Sequence, residues 1–279
     1  MTVRPVLVCA ALLAACSKNA EAVTPLPGGG YSYLVTPAGH MYRLLKAGPV
    51  IGGEGKKLGT MVSYAGETCE IARIGADAEE IVAALGPEME LVGETSIIIQ
   101  ANVGYDPRKM ISRSVSYNAV FEGKGGRWVR LPPKAGEPKE LDLIDGSPKP
   151  PDDPSFPFDA VKTKNAADAA AKWVALIDAD NVDASVAAMS ETFRSQVSRD
   201  QWRALVTQRS GLAAGAKRVE LYRMQTRNGN VPMPSGGGAV VQYEVRSPQG
   251  GRFIERVMLL NERDGWRPAG YAFQPIPAG

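Results

Sequence analysis

The sequence predicts an α+β fold in two domains, and three features of the chain support this division. A dense series of prolines between residues 132 and 157 separates two stretches with regular apolar patterns. The first stretch, residues 31–131, shows mainly strand patterns, which predict an antiparallel-sheet-rich N-terminal domain. The second stretch, residues 159–279, has helical patterns first and strand patterns afterwards, which predict helices followed by a curved antiparallel sheet. A chain of 279 residues is long enough for two such domains.

The N-terminal domain is predicted from alternating apolar residues and one helical pattern. The helix is expected over Asp77–Leu85, because Asp77 and Glu80 have the spacing of a capping box and Gly86-Pro87 commonly ends a helix. The glycine-rich residues 52–60 lack the spacing of a phosphate-binding loop, so they are predicted to form a hairpin turn. Strands are expected over Tyr42–Leu45, Leu58–Tyr64, Ile97–Val103, Ser114–Glu122 and Trp128–Leu131.

Residues 132–158 are predicted to form a semi-rigid linker between the domains. Proline lacks a backbone donor and favours extended backbone, which excludes a helix or a central strand here. Phe156 and Phe158 are apolar residues of this segment that could pack on a domain surface.

The C-terminal domain is predicted to begin with three helices and to end with four strands. Ser198 and Gln201 form a capping-box pattern that opens the third helix. A strand over Val219–Gln225 precedes an antiparallel meander over residues 238–247, 252–261 and 265–273, with "SPQGG" and "ERDGW" as its turns. The residues predicted to share helical faces are Ala169, Trp173, Leu176 and Ile177, then Val182, Val186 and Met189, and last Trp202, Leu205, Val206 and Arg209.

Five pieces of this half occur in the order found in a known family. They are "KWVALIDADN", "FRSQVSRDQW", the pair Arg209 and Arg218, "VPMPSGGGAVVQYEV" and "FIERVMLLNERDGWRPAGYAF". About residues 165 to 273 therefore resemble the bacterial family catalogued as domain of unknown function 4019. The resemblance implies a cystatin-like cone, similar to nuclear transport factor, in which a bent sheet wraps a helix layer and sometimes encloses a pocket. It implies no activity, because that fold hosts enzymes, binders and dimerisation modules alike.

The start of the chain has the three parts of an export signal. Arg4 precedes an apolar run over residues 6–14, and this run is far shorter than the ~20 residues of a membrane-spanning helix. Leu13-Ala14-Ala15-Cys16 resembles the lipobox of bacterial lipoproteins. The resemblance implies that residues 1–15 are removed and that Cys16 is acylated, with residues 16–30 as a flexible tether. The alternative is an ordinary cleaved signal peptide, in which Cys16 is incidental.

The residue after Cys16 bears on the location. Ser17, rather than Asp, is similar to the outer-membrane sorting pattern of lipoproteins. We therefore expect an exported protein on the periplasmic face of the bacterial outer membrane, anchored through Cys16, with an envelope protein or the cell wall as a possible partner.

The composition argues against several classes of function. A formal net charge of +2 does not fit a nucleic-acid binder, which usually carries a strong basic excess. After removal of the signal and acylation of Cys16, the chain retains one histidine, His40, and one free cysteine, Cys69. His40 is expected at a surface turn and Cys69 as a buried, inert thiol. The sequence therefore predicts no disulfide, no metal or cofactor and no catalytic residues.

Five residues remain as candidate pocket or anion contacts: Asp178, Arg209, Arg218, Tyr222 and Tyr243. A structural role for the two arginines, paired with Asp178 or Glu255, is the alternative. Asp180, Asp183 and Glu244 also have two interpretations. One of them could provide a carboxyl with a raised pKa in a pocket. Alternatively, the acids are helix-end charges or form ion pairs on the sheet face with Arg223, Arg246 or Arg256. Three functions stay open: a non-enzymatic lipid-anchored binding or scaffold protein, a small-ligand binder that uses a cone pocket, and an enzyme on that pocket.

Overall fold

The computed structural model of the chain describes residues 32–52, 55–104, 115–124, 126–143, 146, 158–226 and 238–277. The predicted signal peptide, the tether with Cys16, about half of the proline-rich segment, including Phe156, and the last two residues lie outside this range. The domain boundaries, including the start of the first domain at residue 31, stay predictions.

Both parts of the chain have the predicted α+β character. The N-terminal part contains β1 (Ser32–Val35), β2 (Met41–Ile51), β3 (Lys57–Gly66), α1 (Ile71–Leu91), β4 (Ser96–Val103), β5 (Val115–Lys124) and β6 (Arg127–Arg130). The C-terminal part contains α2 (Ala160–Asp178), α3 (Val182–Ala188), α4 (Glu191–Gln196), α5 (Arg199–Ala213), β7 (Lys217–Thr226), β8 (Gly238–Arg246), β9 (Arg252–Glu262) and β10 (Gly265–Pro275). A strand-rich region followed by helices and then a sheet confirms the predicted fold class.

The strands of the two parts form one continuous sheet. Its ten strands have the order β10-β9-β8-β7-β1-β2-β3-β4-β5-β6. The joint is β1, which pairs antiparallel with β2 on one side and with β7 on the other. The sequence predicted neither β1 nor this long-range pairing. Among the paired strands, β3 and β4 are parallel, with α1 as the crossover between them.

The first helix is longer than predicted. It begins at Ile71, after the N-cap residue Glu70, and includes Pro87. The prediction of Asp77 as the cap, of a capping box with Glu80 and of an end at Gly86-Pro87 was therefore wrong. The reason is tertiary packing: the buried apolar face of the helix outweighs the backbone hydrogen bond that Pro87 removes. The fully or nearly fully buried residues of that face include Ile74, Ala78, Ile81 and Leu85.

Gly86 has a packing role instead of a helix-ending one. A Cβ atom at this position would lie 2.4 Å from Cδ1 of Trp128 on the edge strand β6. The absent side chain thus lets the indole ring of Trp128 pack directly on the helix backbone, which holds β6 against α1.

Helices cover opposite faces of the sheet. Val240 packs in the core beneath α1, whereas its neighbour Val241 packs against α2, α4 and α5. Successive side chains of a strand point to opposite faces, so β8 lies between two helical layers. Helix α1 contacts β4, β5 and β6 toward one end of the strand order, and β7 and β9 toward the other. The sheet therefore bends around α1.

A buried polar network joins α1 to the C-terminal strands. Glu88 forms an ion pair with Arg256 on β9, and its Oε2 atom accepts a hydrogen bond of 2.9 Å from the Tyr222 hydroxyl on β7. Gln242 on β8 completes the network, because its Oε1 atom accepts a hydrogen bond of 2.7 Å from Arg256 Nε. Burial lowers the pKa of Arg256, but the charge of Glu88 outweighs this effect and raises it. The network therefore links the two parts through charged and polar side chains as well as through β1.

The described ends of the proline-rich segment pack on the folded body. The backbone N–H of Leu141 donates to the Cys69 carbonyl at 2.8 Å, and that of Ile71 donates to the Lys139 carbonyl at 2.9 Å. Cys69 is consequently half-buried, not fully buried as predicted. At the other end, the ring of Phe158 lies 5.4 Å from that of Tyr33, the packing that the sequence allowed for.

Removal of the Glu88 carboxylate should destabilise the whole chain. We expect Glu88→Ala to lower the free energy of unfolding by about 3 to 5 kcal/mol, because the buried Arg256 then lacks the charge of Glu88. The double variant Glu88→Met/Arg256→Met should lose less, since apolar side chains replace both charges. Urea denaturation followed by tryptophan fluorescence and far-ultraviolet circular dichroism measures both. Glu79→Ala, which removes a 61% exposed carboxylate of the same helix, is the control. An equal loss in Glu79→Ala and Glu88→Ala would contradict the role of the network.

Candidate functional site

Two arginines and two acids form a closed charge cluster between the helices and the sheet. Glu255 on β9 accepts hydrogen bonds from Arg209 Nε at 3.1 Å and from Arg218 Nε at 2.6 Å. Asp178 at the end of α2 contacts the same two guanidinium groups: Arg209 Nη1 lies 2.6 Å from its Oδ1 atom, and Arg218 Nη1 lies 2.8 Å from its Oδ2 atom. Each charge therefore has two opposite charges as neighbours. These contacts agree with the structural alternative for the arginines.

The cluster runs from the protein interior to the surface. The side chains of Glu255 and Arg209 are 0% and 3% exposed, whereas those of Arg218 and Asp178 are 25% and 42% exposed. Burial alone would raise the pKa of Asp178, but the hydrogen bond from Arg218 and the charges of both arginines hold it below its usual value. The two arginines therefore favour the ionised form of Asp178.

Local structure explains why Asp178 needs two cationic partners. It is the last residue of α2, and the last turn of this helix contains no basic residue. A negative charge at a helix C-terminus is unfavourable, because the backbone carbonyls there already carry partial negative charge. Arg209 from α5 and Arg218 from β7 supply the missing positive charge, which ties the end of α2 to both elements.

An aromatic layer fills the space between the helices and the sheet beside this cluster. The rings of Trp173 and Trp202 stack with centroids 5.3 Å apart, and Tyr271 of β10 contacts both rings edge-on at 5.5 and 5.6 Å. Ser185 orients the two indoles: its carbonyl accepts from Trp173 Nε1 and its hydroxyl from Trp202 Nε1, each at 2.8 Å. The Tyr271 hydroxyl donates to Glu255 at 2.6 Å, so the aromatic layer and the charge cluster are one packed unit.

The structure does not bring all five candidate residues together. Tyr243 lies near the charge cluster, with the Arg218 guanidinium 5.9 Å from its ring centroid. Its hydroxyl is buried and has no hydrogen-bond partner among the residues that the structure describes. Tyr222 faces α1 on the opposite side of the sheet, where it belongs to the Glu88 network. The five candidate contacts therefore lie on two faces of the sheet, and their role as pocket or anion contacts stays a prediction.

The other acids of the C-terminal part form one of the predicted ion pairs, Glu244 with Arg246, and otherwise have different partners. Glu244 contacts Arg246 at 2.8 Å and Arg252 at 2.7 Å, as an ion pair at the edge of the sheet face. Burial opposes ionisation of Glu244, but hydrogen bonds from the two arginines lower its pKa. The other two arginines proposed as partners bind different acids: Arg223 pairs with Glu220, and Arg256 pairs with Glu88. Asp183 pairs with Arg199.

A second polar cluster, on the N-terminal part, was not predicted as a cluster. His40 is 67% exposed in the β1–β2 turn, as expected, and its Nδ1 atom lies 2.7 Å from Glu80 Oε2 on α1. The Tyr42 hydroxyl donates to the same carboxylate at 2.8 Å. Burial raises the pKa of the neighbouring Asp77, whose carboxylate lies 3.4 Å from the Tyr64 hydroxyl. Asp77 and Glu80, assigned to a helix cap from sequence, thus tie α1 to β2 and β3.

The described residues contain no further clear site. None of them form a group of three or more histidine, cysteine, aspartate or glutamate side chains that could hold a metal ion. No helix in the same part of the chain is long and apolar enough to cross a membrane. An open, polar depression at the α2–α3 turn and α5 is lined by Asp180, Asn181, Val182, Asp183, Arg203 and Thr207.

The charge cluster should make stability depend on pH in the acid range. The pKa of Asp178 is lower in the folded chain than in the unfolded chain, so the unfolded chain takes up this proton first as the pH falls. The contribution of Asp178 is present above about pH 4 and is lost as the pH falls through its folded pKa. Denaturant unfolding between pH 7 and pH 3 measures this slope, and Asp178→Asn should lower stability at pH 7 and flatten the slope.

Asp264→Asn is the matched control, because that carboxylate is 81% exposed and contacts Arg267 only at 3.8 Å. The control should retain both the stability and the pH slope of the unmodified chain. A wild-type slope in Asp178→Asn would show that the cluster does not hold this carboxylate in its ionised form.

Comparison with known proteins identifies the C-terminal part. Residues 169–271 match the family described as "Protein of unknown function (DUF4019)". No curated protein matches the chain. Among solved structures, the chain is similar to the 1.8 Angstrom structure of Aln2 from a Streptomyces species, with 15% sequence identity and a TM-score of 0.28. The match covers 40% of this chain and 88% of that chain. The family match over residues 169–271 confirms the resemblance found in the sequence, and the C-terminal part is the part of this chain that the family describes.

Proposed function

We propose that this chain is a lipid-anchored bacterial envelope protein that acts as a non-enzymatic scaffold or binding protein. The anchor is Cys16, the partner at that point is the membrane, and the location is the periplasmic face of the outer membrane. The lipobox-like Leu13-Ala14-Ala15-Cys16 and the following Ser17 support this part of the proposal. Two or more acyl chains hold a protein firmly on a bilayer, whereas one chain binds only marginally.

The arrangement of charges in the C-terminal part is the main support for a non-enzymatic role. Asp178, Glu255, Arg209 and Arg218 neutralise one another within hydrogen-bond distance. A general acid or base must exchange its proton with a substrate near neutral pH, whereas the arginines lower the pKa of Asp178 and keep it ionised. The side chains that the family resemblance singled out therefore stabilise the fold and leave binding to the outer surfaces.

The tether limits how far the folded part can act from the membrane. Residues 17–31 separate the anchor from the first strand, and fifteen residues of fully extended chain span at most about 50 Å. A scaffold on such a tether works close to the bilayer, within reach of envelope proteins or the cell wall. This short reach favours a partner in the same membrane or in the adjacent wall.

Mass spectrometry of the protein purified from membranes tests the anchor. We expect the mature N-terminus to be Cys16 with an added diacylglycerol and an acylated amine, and Cys16→Ala to leave the protein without lipid and out of the membrane fraction. Ser17→Asp is the matched control for location, because it should leave acylation intact and change only the membrane in which the protein is found.

The outcome against the proposal is equally specific. An unmodified N-terminus produced by cleavage at a site other than the bond before Cys16 would refute the anchor and favour plain secretion.

A further inference from the structure

Two exposed apolar side chains lie at the end of the β2–β3 hairpin. Ile51 and Leu58, at the end of the β2–β3 hairpin, are 57% and 54% exposed, although large aliphatic side chains are usually buried. Val161 in the first turn of α2 is 69% exposed.

The strand register shows that the hairpin points toward the end of the sheet at which β1 begins. Ser32, the first residue of β1, pairs with Leu44 of β2. Strand β2 runs antiparallel to β1 and continues beyond Leu44 to Ile51, so its end projects past the point where the tether enters β1. Seven residues at about 3.3 Å each place Ile51 about 20 Å beyond Leu44. The hairpin end therefore projects beyond the end of the sheet at which β1 begins.

Val161 lies beside the start of β1, at the base of this projection, and not at the hairpin end. The backbone N–H of Asp159, the N-cap of α2, donates to the Gln225 side chain at 3.0 Å. Gln225 pairs with Tyr33, next to the start of β1. The first turn of α2 is thus held beside the point where the tether joins the sheet.

The hairpin end has an apolar pair with basic neighbours. Leu58 packs against the backbone at Gly52, where a Cβ atom would lie 2.9 Å from Leu58 Cδ1. Gly52 follows Ile51 in the chain, so Leu58 lies close to the end of β2. Lys56 is exposed two residues before Leu58, and Lys57 forms an ion pair with the buried carboxylate of Glu94. Apolar side chains flanked by lysines fit the boundary between acyl chains and anionic headgroups.

We propose that Ile51 and Leu58 of the β2–β3 hairpin form a contact surface for a phospholipid bilayer. This inference rests on the proposed anchoring through Cys16, because a tethered protein meets its own membrane at a high effective concentration. A contact of a few side chains, too small to hold a free protein on a bilayer, then suffices to orient an anchored one. The contact fixes which face of the scaffold points away from the membrane.

Hydrogen exchange on vesicle-coupled protein tests the surface. The chain from Cys16 onward, with Cys69→Ser, is coupled through the Cys16 thiol to a maleimide lipid in vesicles of phosphatidylethanolamine and phosphatidylglycerol. Amide exchange of peptides that cover residues 46–60 is compared with that of the uncoupled protein mixed with the same vesicles. We expect coupling to slow this exchange by at least about threefold, because membrane contact restricts local opening of the hairpin.

Matched variants show whether the apolar side chains cause the protection. Ile51→Ser/Leu58→Ser should abolish the slowing, whereas Leu212→Ser/Val219→Ser should retain it. The control residues are 43% and 50% exposed, and Val219 lies toward the end of β7 that is remote from Thr226, the partner of Ser32. Unchanged exchange at residues 46–60 in the coupled protein, or equal slowing in the two double variants, would overturn the inference. Because the coupling is chemical, this result does not depend on natural acylation, so failure of the anchor and failure of the contact surface are distinguishable.

Discussion

The pairing of β1 with both β2 and β7 is the constraint on which the rest of the structure depends. All residues of this strand, Ser32–Val35, are buried, and each has a partner on either side. The strand sets the register between the two parts of the chain, so the C-terminal end of α1 meets the strands of the second part. Without that register, Glu88 would not reach Tyr222 and Arg256. The chain thus behaves as one folded body whose two halves share a sheet.

Charged side chains stabilise this body on both faces of one strand. Glu255 and Arg256 are consecutive in β9 and therefore point to opposite faces of the sheet. Glu255 is held by Arg209 and Arg218 beneath the helices, and Arg256 is held by Glu88 beneath α1. Buried charges of this kind cost desolvation energy, which the paired geometry offsets.

Local patterns predicted the C-terminal part well because its elements follow one another in both sequence and space. The capping box at Ser198 and Gln201 is present, and the meander strands were predicted to within two residues. Prediction failed where distant segments meet: β1 has only four residues, and its partner β7 lies in the other part of the chain. The same holds for α1, where Asp77 and Glu80 have local cap spacing but bond to Tyr64 and to Tyr42 across the fold. The sequence identified Arg209 and Arg218 as candidate contacts. Their structural role depends on Asp178 and Glu255, which the fold places beside them.

The central claim is that the two parts stabilise each other, and the C-terminal part produced alone tests it most directly. Residues 159–279 without β1 and α1 expose Tyr222, Gln242 and Arg256 on an uncovered sheet face and leave β7 as a long edge strand. Urea denaturation of this fragment, followed by the fluorescence of its buried tryptophans Trp173 and Trp202, is the measurement. The account predicts no cooperative transition, or one at a much lower urea concentration than in the full chain. A fragment that unfolds cooperatively with the stability of the full chain would contradict it.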